Sequence, residues 1–167
     1  TKNNIALSYQ ALASWGVEPV QNLTLALKIL HEAENLWKDQ KGDSNNIMTQ
    51  YHIGMTYQYL ASWGVEPIPN LKKSIETLQK TVSLWKDHSN HAMAQSSLGA
   101  SYQALASWGS EPEQNLKSAI VLLSDSARTL KEQQNNIGYP ITAANLGLSY
   151  QSLAKRSIDT TENFGRS

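Results

Sequence analysis

One phrase recurs through this chain and limits what it can fold into. Tyr-Gln-x-Leu-Ala-Ser-Trp-Gly-x-Glu-Pro-x-x-Asn-Leu occupies Tyr9–Leu23, Tyr57–Leu71 and Tyr102–Leu116, and an eroded fourth copy opens at Tyr150. The copies start 48, 45 and 48 residues apart. Self-similarity at a period of about 20 to 50 residues means one supersecondary unit used several times, each too small to bury its own apolar face.

Within the phrase the period is helical on both sides of a stop. Ile5, Leu7, Tyr9, Leu12 and Trp15 predict a first helix over 1–15. Gly16 stands where helices end on a left-handed residue. Glu18-Pro19 then opens a second helix, because proline suits a first turn and an acid suits the positive end of the dipole. In the third copy Ser110 and Glu113 add the spacing of a capping box. The second helix is expected from Pro19 to Lys38, with Leu23, Leu27, Leu30 and Trp37 as its buried seam. Its later versions are Leu71, Ile75, Leu78, Val82 and Trp85, then Leu116, Ile120, Leu123, Ala127 and Leu130. Glu34 interrupts the first seam. A carboxylate there is costly unless exposed or paired, so this stretch is expected near an open edge. Length differences fall in polar loops within 39–46, 87–90 and 132–139.

Composition closes off several functions. The 14 Lys+Arg and 14 Asp+Glu balance, with no block of like charge, so a nucleic-acid partner is not expected. With no cysteine, disulfides, thiolate metal sites and cysteine catalysis are excluded. No stretch reads as a signal peptide or membrane span, so no membrane association is expected; the compartment stays open, with the cytoplasm as default. Both ends fall inside a repeat, with Asn163-Phe164 aligned to Asn22-Leu23, so the chain reads as a piece of a longer array. Gly165-Arg166-Ser167 reads as a cloning scar.

The first helices of later copies contain Ile53-Gly54-x-x-Tyr57, Leu98-Gly99-x-x-Tyr102 and Leu146-Gly147-x-x-Tyr150. Followed by Ala119-x-x-x-Leu123 and Ser126-Ala127, this pattern resembles the tetratricopeptide repeat (TPR), and Gly-Val-Glu-Pro-x-x-Asn-Leu-x-x-Ala is similar to the related Sel1-type repeat. The resemblance covers nearly the whole chain. It implies an all-α fold, a right-handed α/α superhelical solenoid of antiparallel pairs, in one domain over 1–167. The repeats would span about 1–44, 45–89, 90–137 and a truncated 138–164. The small residues Ala6, Gly54, Gly99 and Gly147 would let paired helices approach closely. The unit departs from the family in length: Tyr102 to Ala119 is 17 residues, against about nine in a 34-residue repeat.

The family's binding groove is lined by first helices. Carried over by position, it implies Leu7 and Gln10 in the first unit, and Met48, Tyr51, Met55, Gln58 and Tyr59 in the second. The third contributes Met93, Ser96 and Gln103, and the fourth Ile141, Leu148 and Gln151. Asn145 falls at a position some relatives use to clamp an acidic peptide end, but Ser97 and His52 replace its partners. A Met- and Tyr-rich surface suits an adaptable contact with a protein or peptide. The ladder Gln10, Gln58, Gln103, Gln151 either reads a peptide backbone or ties neighbouring helices. Trp15, Trp63 and Trp108 are expected to cover their corners, and Trp37 and Trp85 to be core. His88 and His91 with Asp87 read as a solvated loop, with no metal. No catalytic constellation is visible, so neither an enzyme nor a cofactor is expected. The expected function is a protein- or peptide-binding scaffold. The alternative is a structural module that self-associates end to end.

Overall fold

In the computed structural model the described residues are 1–37, 39 and 43–165, with side chains described as far as Ser157. Lys38, Gln40, Lys41, Gly42 and Arg166-Ser167 lie outside them, as does the Phe164 side chain. The chain is all-α: seven helices and no strand among the described residues. They are α1 (Lys2–Ser14), α2 (Pro19–Trp37), α3 (Ser44–Ser62), α4 (Pro67–Leu84), α5 (His91–Ser107), α6 (Pro112–Glu132) and α7 (Gly138–Gly165). Contacts divide the chain into two compact units, Thr1–Ala94 and Gln95–Ser167.

In the first unit α1 packs on α2, α3 on α4, and α2 on α3. Leu23, Leu30, Leu71 and Leu78 are fully buried, each contributing about 1.5–3 kcal/mol of transfer free energy. Ala6, Ala26, Leu30 and Ile53 form one core cluster, with Tyr9 and Tyr57 against it. Ile47, Trp85 and Ala94 form another. A Cβ on Gly54 would lie 2.7 Å from Leu78 Cγ, so only glycine permits this approach of α3 to α4. The second unit repeats the device. Leu116, Leu123 and Leu130 are buried, and a Cβ on Gly99 would lie 2.7 Å from Leu123 Cγ. On α7, however, nothing lies within 4 Å of such an atom at Gly147.

The corner is a repeated backbone structure. Val17, Val65 and Ser110 donate their N–H groups to the carbonyls of Leu12, Leu60 and Leu105, five residues back. Gly16, Gly64 and Gly109 donate to Ala13, Ala61 and Ala106. This closure needs a left-handed residue, supplied by the glycines at φ +79°, +76° and +81°. A second left-handed residue follows at Glu18, Glu66 and Glu111, with φ of 38°, 36° and 40°. Glu66 and Glu111 cap α4 and α6 by position only, with no side-chain bond. The expected Ser110–Glu113 capping box does not form. Ser110 instead offers its carbonyl to Asn115, and Glu113 pairs with Lys117. The buried asparagine of each phrase completes the corner: Asn22, Asn70 and Asn115 donate their side-chain amides to the carbonyls of Val17, Val65 and Ser110.

Bonds and glycines close the corner without the tryptophans. Trp15, Trp63 and Trp108 are 79, 48 and 50% exposed, against the expectation that they cover it. Trp85 is buried as expected, while Trp37 is half-buried. The fourth copy makes no corner. Ser157 replaces the glycine and Thr160 the proline, and α7 continues to Gly165 instead of beginning a second helix near Asn163.

Candidate functional site

The site is built where a first helix meets the next first helix. In the first unit Asn3 bonds Thr49, and Gln10 donates to Thr56 Oγ1 at 2.6 Å and to the His52 carbonyl at 3.3 Å. A constant offset of 46 residues between paired side chains means that α1 and α3 run parallel. The second unit has the same register: Ser96 bonds Thr142 at 2.7 Å, and Gln103 donates to the Asn145 carbonyl at 3.3 Å. At Gln10 and Gln103, then, the glutamine ladder ties helices together. Gln10 is only 7% exposed.

Beside Gln10 a pocket of about 310 Å³ opens between the two helices, lined by Gln10, Ala13 and Ser14 of α1, Leu23 of α2, and Tyr59, Ser62 and Trp63 around the end of α3. The volume suits one side chain or small ring. Ser14 and Ser62 spend their hydroxyl hydrogens on the Ala11 and Tyr59 carbonyls. Burial, and secondarily Tyr51, pushes the Tyr59 phenol up from its ordinary value, so the ring is neutral at pH 7.

Of the groove residues carried over from the family pattern, Gln10 and Tyr59 meet at this pocket. Leu7, Met93, Ile141, Leu148 and Gln151 are exposed. Met48, Tyr51, Met55, Gln58, Ser96 and Gln103 are half-buried. Met48 and Tyr51 lean on the cluster of Ile47, Trp85 and Ala94. Ala13, Ser14, Leu23, Ser62 and Trp63 are the pocket residues missed by the family positions. The signal was present in the phrase itself, since a corner tryptophan ends each first helix one turn beyond the groove positions.

A second polar cluster joins α2 to α3. His31 Nδ1 lies 2.9 Å from Glu34 and Nε2 lies 3.4 Å from the Tyr57 hydroxyl, while Gln50 donates to the other Glu34 oxygen. Lys73 Nζ sits 5.3 Å from the Tyr57 ring centre. Glu34 is therefore half-buried and paired, which offsets its cost in the seam. Carboxylate, imidazole and hydroxyl in a row resemble a relay, but burial and then Glu34 push the Tyr57 phenol up. A phenol held protonated is a poor nucleophile, and the bonds of the cluster link α2 to α3. His88 stacks on Trp85 at 5.5 Å and accepts from the Asn90 N–H, whereas His91 bonds the Val82 carbonyl. The two imidazoles are thus engaged separately. Among the described residues no three His, Cys, Asp or Glu side chains group as metal ligands. No helix among them is long and apolar enough to cross a membrane. The chain matches no family model, no curated protein and no solved structure.

Proposed function

We propose that this chain is a non-enzymatic binding scaffold: a TPR-like solenoid of about three and a half repeats whose first helices present a groove to a protein or peptide. The observation that carries this reading is the contrast within the repeated phrase. Its glycine, asparagine and, in two copies, glutamine are engaged in closing corners and setting register. The aromatic residues beside them at the α1–α3 pocket, Tyr59 and Trp63, stay exposed, as does Leu7 on α1. Large apolar side chains left in contact with water at a concavity are what a partner buries. The common 46-residue register in both units supports stacking of like pairs. Met55→Glu and Tyr59→Ala should each abolish capture of the partner from extracts by the immobilised chain, with the helical circular-dichroism signal unchanged. Full capture by both well-folded variants would move the binding face elsewhere.

One observation favours self-association as a second reading. On α7 the Gly147 surface is open, and Tyr150 is 54% exposed where Tyr9, Tyr57 and Tyr102 are half-buried. A leucine-bearing helix from another copy would fit that surface as Leu78 fits Gly54. Sedimentation across a hundredfold concentration range separates the readings, since a strict monomer contradicts assembly.

A further inference from the structure

The groove reading names a face but not what it selects. We propose that the pocket between α1 and α3 receives the guanidinium of an arginine side chain on an extended peptide, an inference that rests on that reading. The polar lining is arranged to accept hydrogen bonds. Gln10 commits its amide nitrogen to the His52 carbonyl and Thr56 Oγ1, so the amide cannot turn over, and Oε1 has no donor among the described residues. Gln10 is more than nine-tenths buried and lines the pocket, so this oxygen is its open hydrogen-bonding atom there. Ser14 and Ser62 have given their hydrogens to backbone carbonyls, leaving lone pairs. The donors among the lining side chains, the Trp63 N–H and the Tyr59 O–H, belong to ring edges, whereas the ring faces attract cations.

The surroundings have the matching sign. Residues 11–22 and 59–71 each carry one carboxylate, Glu18 and Glu66, and no lysine or arginine. Both are exposed, and neither forms a side-chain ion pair among the described residues. A carboxylate ligand would meet the Gln10, Ser14 and Ser62 oxygens, with only the edge donors of Trp63 and Tyr59 to receive it. An aliphatic one would bury the Gln10 oxygen without a donor. Between the cations, guanidinium has five donors, a flat face for the indole and weaker hydration than ammonium. The aromatic pair is specific to this place: Tyr59 has Ala11 and Ala104 as counterparts in the other complete copies.

The test titrates the full chain, with its tryptophan indoles nitrogen-15 labelled, against three blocked pentapeptides identical except for a central arginine, citrulline or leucine. The arginine peptide should shift the Trp63 indole, and citrulline should bind about tenfold more weakly or worse. Added salt should weaken the arginine complex. Trp63→Ala should remove binding, and Trp15→Ala should leave it, with helicity unchanged in both. Equal or tighter binding of citrulline or leucine would overturn the arginine assignment and leave the groove reading standing. Equal shifts at Trp15 or Trp108 would overturn the location. Silence with all three peptides would overturn the proposal, while partner capture by Met55→Glu decides the groove reading separately.

Discussion

Helices α3 and α7 hold the same place in their two units and differ in nearly everything that place allows. Each lies parallel to a preceding first helix, and each offers a main-chain carbonyl, His52 or Asn145, to the glutamine 42 residues earlier. On α3, Gly54 is filled by Leu78; on α7, Gly147 faces nothing within 4 Å. Where α3 has Tyr59, Ser62 and Trp63, the repeat places Ser152, Lys155 and Arg156 on α7. A copied frame therefore supports an uncharged aromatic pocket in one unit and, at the corresponding positions of the other, two cations that would repel an arginine. Duplication preserves what sets helix register, and the uncopied residues decide what the register displays.

The largest effect expected from this comparison concerns stability. Gly54→Val should destabilise by about 1–3 kcal/mol or more, because its first side-chain atom already overlaps Leu78. Gly147→Val should change stability by less than about 0.5 kcal/mol, since the space is open and valine suits a helix no worse than glycine. Urea unfolding of the two variants reads the difference, and equal losses would break the contrast. A middling effect separates the glutamines. Gln10→Ala removes two bonds while the Thr56 hydroxyl keeps its bond to the His52 carbonyl, costing about 1–3 kcal/mol, whereas Gln103→Ala removes one and should cost about 0.5–1.5 kcal/mol.

The smallest effect is a pH dependence confined to α3. Burial holds the His52 imidazole below its ordinary value of 6.5, so the folded chain binds its proton less readily than the unfolded chain does. That contribution is fully present above pH 6.5 and is lost as pH falls from there through the depressed folded value. His52→Asn, which gives α3 the residue of α7, should flatten thermal stability between pH 7 and 5 relative to the parent. An unchanged slope would place the pH dependence elsewhere.

Much of the frame was legible because its causes are local. The stop at Gly16, the start at Pro19 and the close approach at Gly54 and Gly99 follow from what glycine and proline permit at a turn or a crossing. The corner tryptophans were harder to read. A large aromatic ordinarily covers a turn, but here backbone bonds and Asn22, Asn70 and Asn115 have already closed it. Glu18 fits the helix dipole in sequence, yet the sequence does not reveal its left-handed backbone. Glu34 looked like an edge residue because its partners His31 and Gln50 are one turn back along α2 and on a different helix. The pocket depends on three helices meeting, and no single stretch announces it.

The central claim is that the copied frame becomes a binding site where the uncopied aromatics stand on it, and moving those aromatics tests it most directly. Ser152→Tyr, Lys155→Ser and Arg156→Trp together give α7 the pocket residues of α3, all at exposed helical positions. Titrated with the same arginine pentapeptide, the indole introduced at position 156 should shift alongside Trp63, with dissociation constants within about tenfold of each other. A folded triple variant in which Trp63 responds and the new indole stays silent would contradict the account.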